Sequence, residues 1–136
     1  MKTFIYLFLI LFLSGCNPSF CTWNLGYKQL DKIPERSTIV GFYELNNKSK
    51  AFLNETHTEW PLKLELNSVG YYKFINTSTT KTGRWSVSRA ESYGCLLELE
   101  GIGVEPLSSK NGRPAVQMTI GDADNCEGII YEKLTQ

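Results

Sequence analysis

The chain has 136 residues, 42% of them hydrophobic and 21% charged, proportions that fit one ordinary globular domain and exclude a fibrous or disordered chain. Fourteen Lys and Arg balance fourteen Asp and Glu, without the basic run expected of a nucleic-acid binder, so nucleic acid is excluded as a partner. One His and four Cys leave little material for a multi-ligand metal site or for acid–base catalysis near neutral pH.

The N-terminus carries Lys2 and then an unbroken apolar run over residues 4–13. That run is too short to span a hydrocarbon layer of about 30 Å as a helix, and it has the form of a signal peptide. It ends in Leu13-Ser14-Gly15-Cys16, which resembles the bacterial lipobox: an aliphatic residue, two small residues and the cysteine that receives diacylglyceryl. The resemblance implies cleavage after residue 15, lipidation of Cys16 and a membrane partner reached through that anchor. Several acyl chains, each contributing about 0.8 kcal/mol per buried CH₂, would make the attachment effectively permanent. Resemblance to the lipoproteins of Gram-negative bacteria, in which an Asp after the cysteine favours inner-membrane retention, further implies for Asn17 a place at the outer membrane facing the periplasm. The expected organisation is a removed signal peptide (1–15), a lipidated Cys with tether (16–38) and a β-barrel domain (39–136).

Residues 17–38 carry Pro18, Pro34 and scattered charge, as a tether would. Trp23, Leu25 and Tyr27 alternate, so part of this segment is expected to add a strand or to cover one end of a barrel. Beyond residue 38 the signal is β throughout. Residues 39–45 are rich in β-formers, and 61–66 alternate so that Leu62, Leu64 and Leu66 share one face opposite Lys63 and Glu65. Residues 71–75 resume after turn chemistry at 67–70, and 76–80 form a polar loop. Further strands are expected at 83–87, 95–100, 115–120 and 128–134. Loops are placed at 88–94, at 108–114 and at 121–125. No stretch after the signal shows a helical period. Seven strands at spacings of about ten residues give an all-β fold, an antiparallel up-and-down barrel of seven to eight strands, whose closure removes exposed edges.

In an oxidising periplasm, Cys21, Cys95 and Cys126 allow one disulfide and one leftover thiol. Cys95 and Cys126 each stand where an apolar strand begins, the fifth and seventh in this count. Alternating strands would bring both to the same end, so this pairing is favoured over those with Cys21.

Gly41-Phe-Tyr-Glu-Leu45, Leu62-Lys-Leu-Glu-Leu66, Gly70-Tyr-Tyr-Lys-Phe74, Gly83-Arg-Trp85 and Ile130-Tyr-Glu-Lys133 together resemble the small lipocalin-like domains of many bacterial lipoproteins. The resemblance covers about residues 39–134. It implies a meander barrel and transfers no ligand. The Gly-x-aromatic units have a structural reading, in which glycine permits a tight bend and the aromatic fills the core.

Candidate chemistry is sparse. Glu55, His57 and Glu59 have metal-ligand spacing along a strand, but a solvated loop histidine suffices. Asp122, Asp124 and Asn125 fail the register of a calcium loop, since Cys126 takes the third ligand position, and a turn suffices. No nucleophile motif occurs, so no catalytic residue, metal or cofactor is expected. Two functions remain: recognition of a periplasmic protein partner, as hydrolase inhibitors and immunity lipoproteins do, or carriage of an apolar small molecule inside the barrel. Large aromatics in so short a chain favour the first, with Lys110 and Arg113 in the 108–114 loop as the contact.

Overall fold

Alternating side chains place Tyr43 and Leu45, Leu64 and Leu66, Tyr72 and Phe74, and Leu97 and Leu99 on one buried face, strand after strand. The structure, a computed structural model, describes residues 26–75 and 80–135. The signal peptide, the lipobox, Cys16, Cys21 and nearly all of the 76–80 loop lie outside the described residues. The strands are β1 (Lys28–Gln29), β2 (Gly41–Leu45), β3 (Lys63–Leu66), β4 (Tyr71–Ile75), β5 (Thr80–Ala90), β6 (Gly94–Leu99), β7 (Gly103–Lys110), β8 (Arg113–Thr119) and β9 (Gly128–Lys133). From β2 to β9 each strand pairs antiparallel with the next, and β9 returns to β2. The result is the up-and-down closed barrel that the alternation predicts, with β1 added on β7.

The interior is filled. Tyr43, Tyr72, Tyr131, Phe74, Leu64, Leu97, Leu107 and Ile129 are buried in one cluster, with Trp85 and Met118 joining it. Phe74 stands at its centre, edge-on to Tyr72 (centroids 5.5 Å apart) and to Trp60 (6.2 Å). The polar tips of the aromatics reach carbonyls at the barrel ends. Tyr43 donates to Ile39 O at 2.5 Å, Tyr72 to Glu100 O at 2.6 Å, and Trp85 Nε1 to Asn67 O at 3.0 Å. These three rings thus bury their bodies without stranding their donors, whereas the buried Trp60 Nε1 makes no hydrogen bond among the described residues. Gly83 lies directly across from Tyr72. A Cβ there would sit 2.7 Å from the Tyr72 ring, so this glycine makes room for an aromatic instead of making a turn.

Four expectations are corrected. First, the chain contains a helix, α2 (Asn47–Glu55), besides the one-turn α1 (Arg36–Ile39). Asn46 caps α2 by accepting from the Ser49 amide at 2.8 Å, and Ser49 Oγ accepts the Ile130 amide at 2.7 Å. Second, residues 103–110 form β7, a strand that the sequence pattern does not predict, and of the expected 108–114 loop only 111–112 lie outside strands. Pro106 lies inside it, at the point where the ladder passes from β6 to the incoming segment at Leu30. Third, Leu62 precedes β3 and is 46% exposed.

Fourth, the Cys95–Cys126 disulfide is not made: Cys95 is a free, buried thiol. The missing β7 accounts for the error. With it included, Cys95 lies in the fifth barrel strand and Cys126 just ahead of the eighth. Opposite parity sends the two to opposite ends of the barrel.

Candidate functional site

Lys110 and Arg113 face each other as a Cα pair across the tip of the β7–β8 hairpin. Between them Asn111 (φ 52°) and Gly112 (φ 75°) form a two-residue turn with both central residues in the left-handed region, the chemistry that a tight hairpin demands. The expected loop is therefore a tight two-residue turn, and the two cations stand at its shoulders, exposed.

The incoming chain meets this turn. Lys28 pairs with Ser109 in β1–β7, and the ammonium of Lys110 lies 4.9 Å from the centroid of the Tyr27 ring. The Tyr27 hydroxyl donates to the Glu132 carboxylate and accepts from Asn46 Nδ2 at 3.0 Å. Burial, reinforced by the hydrogen bond to Glu132, pushes the Tyr27 phenol up to about 12, so it stays protonated and remains a donor. Along this flank a cleft of about 410 Å³ runs from the hairpin to α2, with Lys48, Lys50, Lys110 and Arg113 on its walls. Its two carboxylates are both engaged, Glu132 by Tyr27 and Glu44 by Lys50 at 2.6 Å.

On the other side of Arg113 and Lys133 lies a larger cleft of about 840 Å³, between α1, the hairpin turn and the end of β9. Its cations are Arg36, Arg113 and Lys133, and its described lining contains no carboxylate. Lys133 is held by donating to Thr38 O at 2.6 Å. Arg36 is held twice, its guanidinium 4.4 Å from the Trp85 ring centroid and its Nε donating to Ser68 O at 2.9 Å. Val40, Pro114 and Leu134 supply apolar surface.

Sequence reasoning found Lys110 and Arg113 but missed Arg36, Lys48, Lys133 and Tyr27, which only the closure of β9 on β2 and the packing of β1 bring to the same flank. His57 is exposed in a turn with φ 52°. Asp122 accepts from the Asp124 amide at 2.9 Å and from Asn125 Nδ2 at 2.9 Å, a self-contained turn. Among the described residues no cluster of His, Cys, Asp or Glu has the makings of a metal site, and no helix is long and apolar enough to cross a membrane. In comparisons with known proteins, no family model, no curated protein and no solved structure matches the chain.

Proposed function

We propose that the chain is a non-enzymatic, lipid-anchored binding module of the bacterial envelope that recognises a protein partner, of the hydrolase-inhibitor or toxin-immunity type. The anchor rests on Leu13-Ser14-Gly15-Cys16, and the outer-membrane, periplasm-facing location on Asn17. The observation that carries the recognition is the hairpin turn, whose exposed Lys110 and Arg113 are held in fixed register between two clefts. A two-residue turn between paired strands leaves fewer conformations to lose on binding than an open loop would, which lowers the ordering cost. The alternative, an apolar molecule enclosed in the barrel, loses support because Tyr43, Tyr72, Tyr131, Phe74 and Trp85 occupy the interior.

The test is capture of partner from envelope extract by the full lipidated protein and by its Lys110→Ala/Arg113→Ala variant. The reading expects at least a tenfold drop in the captured partner, the size of a lost charged anchor of about 1.4 kcal/mol. Unchanged capture removes the hairpin from the interface. Labelled palmitate on the wild type, and none on Cys16→Ala, checks the anchor.

A further inference from the structure

Resting on that reading, we infer that the partner presents an acidic segment with an apolar side chain, and that this segment seats in the cleft between α1, the hairpin turn and the end of β9. The whole chain has formal net charge +0, yet this cleft gathers Arg36, Arg113 and Lys133 without a carboxylate in its described lining. A local positive field of this kind selects carboxylates and disfavours basic surfaces. Among the described residues none of the three cations stands in an ion pair, although Arg36 also borders a cleft with Glu98 and Glu100, and Arg113 and Lys133 border one with Glu44 and Glu132.

The cleft is also built. Arg36 lies against the Trp85 ring because Gly70 leaves room: a Cβ on Gly70 would stand 2.8 Å from Arg36 Nη2. Lys133 is positioned by Thr38 O, and Arg113 by the hairpin register. Pro114, buried, and Val40, half-buried, line the same cleft, and Leu134 is 42% exposed. A protruding segment can place an apolar side chain against Pro114 and Val40 and its carboxylates against the cations. A flat layer of anionic lipid headgroups would meet the exposed cations but not the buried Pro114, so a protein segment is the better fit.

The probe is a short labelled peptide of Glu residues with one central Phe, titrated by fluorescence anisotropy against the full lipidated chain in vesicles of neutral phosphatidylcholine. Binding is expected, weakening as salt rises from about 50 to about 200 mM. It should be weaker for the peptide with Gly in place of Phe and undetectable for a Lys peptide. Arg113→Glu, and separately Lys133→Glu, should lower affinity about tenfold or more. Lys73→Glu, on the outer face of β4 away from the cleft, should leave it unchanged. Absence of peptide binding, equal binding of the Lys peptide, or indifference to both reversals overturns the inference. So does loss of peptide binding when anionic phosphatidylglycerol is added to the vesicles, which would assign the cations to the membrane. Partner capture that depends on Lys110 and Arg113 while the acidic peptide fails to bind would sink this inference and leave the proposed function standing. Peptide binding with capture indifferent to that pair would do the reverse.

Discussion

Glu44 on β2 and Glu132 on β9 are direct cross-strand partners, a like-charge pair that would oppose closure of the barrel. Each is answered from outside its own strand. Lys50 of α2 pairs with Glu44 at 2.6 Å, and Tyr27 of the incoming chain donates to Glu132. The seam that closes the barrel thus recruits both the helix and the N-terminal segment. Tyr27→Phe keeps the ring beneath Lys110 and removes the donor. It is expected to lower stability by about 1 kcal/mol and to speed amide exchange at Lys28 and Gln29, read by hydrogen exchange. Unchanged exchange in β1 would show that the hydroxyl does not hold this segment.

A carboxyl on β7 should make stability depend on pH near neutrality. Glu105 shares the inward side with its cross-strand partner Leu97, and burial pushes it up to about 7. The folded state therefore binds the proton more tightly than the unfolded chain. Its contribution is fully present below the ordinary carboxylate pKa and is lost as pH rises through about 7. Between those limits the unfolding free energy should fall by about 1–2 kcal/mol, allowing for partial exposure. Denaturant midpoints from about pH 5 to about pH 8 check this, and Glu105→Gln should flatten the profile. Glu44 acts in the opposite sense at lower pH: Lys50 holds it below its usual range, so its contribution fades as pH falls through that lowered value.

Phe74→Ala should be among the most damaging single changes. The ring is 1% exposed and touches Tyr72, Trp60 and Tyr131. Truncation leaves a cavity at the centre of the core and costs about 3–5 kcal/mol. Equilibrium denaturation against Phe74→Leu measures it, with the leucine variant expected to lose less than half as much.

Gly70→Ala tests the Arg36–Trp85 stack. Gly70 has φ +95°, and its Cβ would meet Arg36 Nη2 at 2.8 Å. The change should destabilise the fold by about 1–2 kcal/mol and shift Trp85 fluorescence as the guanidinium is displaced. An unaltered emission spectrum with lowered stability would mean that backbone strain alone is at work.

Cys95 should be chemically silent in the native state. It is fully buried, and burial raises its thiol pKa, so little reactive thiolate forms. The thiol should label with a maleimide only on unfolding, and Cys95→Ala should leave the fold intact.

The barrel was legible because burial imposes period two, and residues 63–66, 71–75 and 94–99 obey it cleanly, whereas 128–131 are buried without alternation and were legible only as an apolar run. What escaped has physical causes. β7 carries Pro106 and two serines, and a proline demotes a run to loop, yet here it sits where the ladder changes partner and no donor is needed. Ser108 is nevertheless buried, donating to Ala115 O at 3.3 Å. The helix α2 buries only Ser49 and Leu53, too narrow a stripe to register as a helical period, although Asn46 followed three residues later by Ser49 is a cap signal. At the candidate site, local turn chemistry exposed Lys110 and Arg113. Arg36 and Lys133 reach them only through contacts distant in sequence.

Leu30, just after β1, is bonded on both sides. Leu30 donates to Leu107 O at 3.0 Å and accepts from the Cys95 amide at 2.7 Å, while Gln29 pairs with Ser108. Leu30 therefore fills the gap where β6 and β7 part beyond the Leu96–Pro106 pair, and displacing it would unbind both strands at once.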